Sequence, residues 1–75
     1  NLWDYYMQQG DYNFAVGTAR QAVIGFPDYP LAHYLLGKSL IAYDRQEEGK
    51  AELKKAIELG LGGKDLSDAR KLLGD

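Results

Sequence analysis

The residues in this chain that are able to do chemistry are few and scattered. His33 is the only histidine, so a multi-histidine metal site is absent, and a packing role suits the ring better. Ser39 lies six positions further on, off the helical face of His33, so no Ser–His pair forms locally. Gly60-Leu61-Gly62-Gly63-Lys64 resembles a fragment of a phosphate loop. It lacks the preceding strand and the Lys-Ser/Thr ending that hold a phosphate, and reads instead as a helix-ending turn. Aspartates and glutamates fall on caps and exposed faces, with no acid/base pair among them. Lys50, Lys54 and Lys55 are interleaved with Glu47, Glu48, Glu52 and Glu58, which makes a solvated mixed-charge face rather than a basic patch. No enzyme chemistry and no cofactor is expected.

Composition narrows the remaining classes. Seventy-five residues allow one small domain with a modest core. There is no cysteine, so disulfides and thiolate metal sites are excluded. A net charge of −2 disfavours nucleic acid and anionic membranes. No apolar run is long enough to span a membrane and no signal peptide is visible. The chain begins Asn1-Leu2-Trp3 without Met, already inside an apolar pattern, and reads as a piece of a longer protein. Its compartment is left open.

The elements that must position any functional side chain are helices. Leu2, Trp3, Tyr6 and Met7 mark the end of a first helix, and Gly10 suits its left-handed terminus. Ala15, Ala19, Ala22 and Phe26 share one face of a second, from about Asp11 to Gly25. Phe26-Pro27-Asp28-Tyr29-Pro30 breaks it, with Pro30 in the first turn of a third helix that runs to about Tyr43. Asp44 through Glu47 reads as a capping-box variant starting a fourth. That helix buries Leu53, Ala56 and Ile57 and ends at about Leu59. Asp65 is the expected cap of a fifth carrying Leu66, Ala69, Leu72 and Leu73. No alternating or β-branched run signals a strand. Gly37, inside the third helix, costs about 1 kcal/mol against alanine, which close approach of a partner helix would offset.

Displacing the chain on itself by 34 residues aligns Leu2 with Leu36, Tyr6 with Leu40, Ala19 with Leu53 and Ala22 with Ala56. With these residues and this period the chain resembles the tetratricopeptide repeat family. Gly10-Asp11-Tyr12 with Ala15, Ala22 and Pro27 matches the second half of the family's repeat. Leu36, Gly37, Leu40, Leu53 and Ala56 fall on its conserved positions in a complete one. The chain departs from the pattern at four places. His33 stands where a large aromatic is usual, Gly49 replaces an alanine, Leu61 replaces a proline, and Trp3 takes a small-residue position.

The resemblance implies an all-α fold of antiparallel helix–turn–helix repeats, an α-solenoid. It would form one domain over residues 1–75, with a partial repeat at 1–29, a full repeat at 30–63 and a capping helix at 64–75. It also implies a concave, mostly apolar groove lined by Leu31, Tyr34, Lys38, Ile41 and Ala42, with Met7 and Gln8 from the partial repeat. Asp4 would join them there, and Asp65, Asp68 and Leu72 from the last helix. The implied activity is protein–protein interaction, with a peptide or protein segment as partner and Lys38 placed to meet a peptide acid. Lys38 alone does not reproduce the family's carboxylate clamp, and Asp65 and Asp68 oppose it. The alternative is a structural module that packs against further repeats or forms a homo-oligomer. Nucleic acid is not an expected partner, because no basic recognition helix is present, and neither is direct membrane contact.

Overall fold

Every element begins or ends where the local chemistry dictates. The computed structural model describes residues 1–74. Asp75, the last residue of the expected capping helix, lies outside the described residues. Five helices account for the architecture: α1 (Leu2–Gln9), α2 (Tyr12–Gly25), α3 (Pro30–Ala42), α4 (Gln46–Glu58) and α5 (Gly63–Leu73). No strand occurs among the described residues. The Asn1 side chain accepts from the Asp4 amide at 2.8 Å and caps α1. Pro30 sits in the first turn of α3, where its missing N–H is no loss.

The turns after α1 and α3 are the same structure, 34 residues apart. The Gly10 amide donates to Met7 O at 3.2 Å and the Asp11 amide to Tyr6 O at 2.9 Å. One period later the Asp44 amide donates to Ile41 O at 3.0 Å and the Arg45 amide to Leu40 O at 2.8 Å. This double bond pattern is the Schellman termination, and it needs a left-handed residue at its centre. Gly10 supplies one at φ 76° and Asp44 at φ 63°. A third copy closes α4: the amides of Gly60 and Leu61 donate to Ile57 O and Ala56 O, with Gly60 at φ 105°.

Three expectations from the sequence are corrected here. Asp44 is not the N-cap of α4. It is held in the left-handed turn that ends α3, and Arg45 occupies the cap position without a side-chain bond. Asp65 does not cap α5: Gly62 holds the cap position, while Asp65 sits in the first turn and favours the positive end of the dipole. Phe26 does not continue the alanine face of α2. Its backbone is already extended, at φ −137°, and its ring is 67% exposed.

Consecutive helices pack on one another, and α3 also touches α5. Two apolar clusters result, and α3 feeds both. Leu36 and Leu40 join Trp3, Ala15, Val16 and Ala19 in the first. Tyr34 joins Leu53, Ala56, Leu61 and Ala69 in the second, and Leu35 packs against both. This explains why α3 is apolar nearly all round: it has neighbours on most sides. The closest approach is between α3 and α4. A Cβ built on Gly37 would lie 2.8 Å from the Leu53 side chain and 2.9 Å from Gly49 O. One built on Gly49 would lie 2.7 Å from Ile41 and 2.8 Å from Gly37 O. The close approach expected of Gly37 is therefore present.

Candidate binding surface

The residues of α3 that face α5 form a polar cluster with it. Tyr34 and Lys38 stand one helical turn apart, so their side chains share a face. Asp68, on α5, reaches both. The Tyr34 hydroxyl donates to Asp68 Oδ2 at 2.5 Å, and Lys38 Nζ lies 3.2 Å from the same oxygen. The Lys38 ammonium also sits 5.4 Å from the Tyr34 ring centroid, within cation–π range. One carboxylate oxygen therefore serves a phenol and an ammonium at once.

This arrangement shifts two acidities in opposite directions. Burial raises the Tyr34 phenol well above its ordinary value; the hydrogen bond to Asp68 and the charges of Asp68 and Asp65 act the same way. The Asp68 carboxyl is held below the usual carboxylate range. The Tyr34 hydrogen bond is the main cause, helped by Lys38 and Lys71 and opposed by partial burial.

The other expected groove residues are placed as follows. Leu31 and Ile41 are half-buried against the second cluster. Ala42 and Gln8 are exposed. Met7 is half-buried against the first cluster. The structure thus brings Leu31, Tyr34 and Ile41 together on the second cluster, with Asp68 of the expected set bonded to Tyr34 and Lys38, while Met7 belongs to the other cluster. Tyr34 is mostly covered, at 5% exposure, so its ring is a wall rather than a free anchor. Lys38, expected to meet a peptide acid, is paired with Asp68. Asp68 as their common acceptor was missed. The sequence placed Asp68 beside them only through the family resemblance, and Tyr34 and Asp68 are 34 residues apart.

The remaining polar candidates are committed to the fold. His33 is buried, and its Nε2 donates to the Pro27 carbonyl at 2.6 Å. Its Nδ1 faces a Glu52 carboxylate oxygen at 2.7 Å. The imidazole thus clasps the α2–α3 loop and α4 to α3. The Ser39 hydroxyl donates to the carbonyls of Leu35 and Leu36, at 2.9 and 3.0 Å. Compared with protein-family models, curated proteins and solved structures, the chain matches none.

Proposed function

We propose that this chain is a protein-interaction scaffold of the tetratricopeptide type, two helix pairs and a capping helix, that binds a peptide or protein segment along α3. The observation that carries the reading is the recurrence of one turn at a 34-residue interval. The bonds of Gly10 to Met7 and Asp11 to Tyr6 reappear as Asp44 to Ile41 and Arg45 to Leu40. A period of this length is that of a helix pair whose apolar face is covered only by the next pair. The Tyr34–Asp68 bond supports it, since equivalent positions of successive units meet when such units stack.

Leu31 and Ile41 supply half-exposed apolar surface, Ala42 and Gln8 an open rim, and Lys38 with Asp68 a polar centre. A segment that brings apolar side chains to Leu31 and Ile41, and a hydrogen-bonding group to the Lys38–Asp68 pair, satisfies this surface. Selection from a displayed peptide library on the 75-residue chain, followed by calorimetry, tests the reading. Ala42→Asp, at an exposed groove position, weakens the selected peptides and Gln21→Ala, on α2, does not. Peptides indifferent to Ala42→Asp would speak against this face.

Self-association is the second reading. Leu2, Tyr5 and Phe14 are 57%, 56% and 60% exposed, with Tyr6 stacked on Phe14 at 5.4 Å between ring centroids. An apolar surface of this kind invites a second copy or a further repeat. Sedimentation across concentration separates the two: a monomer at all concentrations removes the second.

A further inference from the structure

A separate cleft lies where α2 meets the end of α3, and it shares no residue with the surface described above. Asn13, Gly17 and Arg20 form one wall. They fall at i, i+4 and i+7, a single stripe of α2. Tyr43 and Arg45, at the α3–α4 turn, form the other wall, and Val16 and Leu40 underlie it. The space is about 270 Å³, below the size of a typical small-molecule pocket and suited to one side chain.

Two features of this cleft are unexplained by the fold. Gly17 sits inside a helix, where glycine is unfavourable. Gly37 and Gly49 are required by a close helix approach, but a Cβ on Gly17 would meet nothing within 4 Å. Arg45 has no ion-pair partner among the described residues. Its guanidinium is held over the Tyr43 ring, 5.4 Å from the centroid. Arg20 is held by Glu48 at 3.0 Å, so it is oriented rather than free, and no acidic side chain lines the cleft.

We propose that this cleft receives one carboxylate side chain from a partner peptide, with Arg45 as its ion-pair partner, Arg20 and Asn13 as further donors, and Gly17 as the opening that admits it. Guanidinium groups match carboxylates in shape and hydrogen-bond directions. The charge count selects a monoanion: Arg20 is already balanced by Glu48, which leaves Arg45 as the single uncompensated charge. Asp44 and Glu47, its close neighbours in sequence, repel a phosphate dianion more strongly than a carboxylate.

Nuclear magnetic resonance titration of the 75-residue chain with acetyl-Ala-Ala-Glu-Ala-Ala-amide tests this. The glutamate peptide shifts the amides of Asn13, Gly17, Arg20 and Arg45 together and saturably, along one binding curve. The glutamine analogue does not. Arg45→Gln weakens the peptide by roughly two- to fivefold, and Gly17→Ala weakens it while amides remote from the cleft keep their positions. Equal shifts from the glutamine peptide, no saturation, or unchanged affinity in Arg45→Gln would overturn the assignment. Inorganic phosphate that saturates these amides as readily as the peptide would also overturn it.

Discussion

Gly37 and Gly49 face each other across α3 and α4, each in the space where the other's side chain would project. The Gly49 carbonyl lies 2.9 Å from a Cβ built on Gly37, and the Gly37 carbonyl 2.8 Å from one built on Gly49. Backbone therefore rests on backbone, and Leu53 and Ile41 close over the contact. Alanine at either position gains about 1 kcal/mol of helix propensity but forces two backbones apart. Overpacking of this kind costs about 1–3 kcal/mol. Gly37→Ala and Gly49→Ala each lower the midpoint of urea unfolding. The double variant costs less than the sum, because the first methyl has already opened the space for the second.

Two other backbone positions predict the opposite sign. Gly17→Ala adds a methyl that meets nothing and raises stability by up to about 1 kcal/mol. Asp44 adopts φ 63° as a non-glycine residue, and its counterpart one period earlier is Gly10. Asp44→Gly relieves strain that a left-handed L-residue carries, on the order of 1–2 kcal/mol, less the extra freedom glycine gives the unfolded chain. A net gain of about 0.5–1 kcal/mol in denaturant unfolding is expected. A loss would mean that Asp44 has a role beyond the turn.

The Tyr34–Asp68 bond predicts a stability profile with two edges. The Asp68 carboxyl is depressed in the folded state, chiefly by Tyr34. Its contribution is therefore intact above the unfolded carboxylate range, and is lost as pH falls through the folded value. The Tyr34 phenol is raised, chiefly by burial. Its contribution is intact below the unfolded value of about 10 and is lost as pH rises from there toward the folded value. Tyr34→Phe removes the most alkaline part of the tyrosinate absorbance titration and costs about 1 kcal/mol at neutral pH. Asp68→Asn flattens the acid edge. If the amplitude lost in Tyr34→Phe lay in the ordinary phenol range rather than above it, the phenol would not be buried in solution.

The helices and the turn glycines were legible because they depend on neighbours in sequence. Gly10 marks a left-handed end, Pro30 a helix start, and the propensity cost of Gly37 a close approach. Asp44 was misread because one short turn serves two helices. The same Asp-x-x-Glu spacing that suggests a cap for α4 also supplies a left-handed residue to end α3, and the backbone bonds of the turn decided the outcome. Phe26 was misread by carrying a helical face one residue past the last helical one. The sharing of Asp68 by Tyr34 and Lys38 was hidden because it depends on how α5 folds back, which no local pattern encodes.

The most direct test of the scaffold reading is a footprint. The 75-residue chain, labelled with nitrogen-15, is titrated with a peptide selected on it, and the perturbed amides are mapped. The predicted footprint runs along α3 through Leu31, Lys38, Ile41 and Ala42, extends to Gln8 and Asp68, and spares the exposed loop at Phe26–Tyr29. A footprint confined to that loop, or to Leu2, Tyr5 and Phe14, would contradict it.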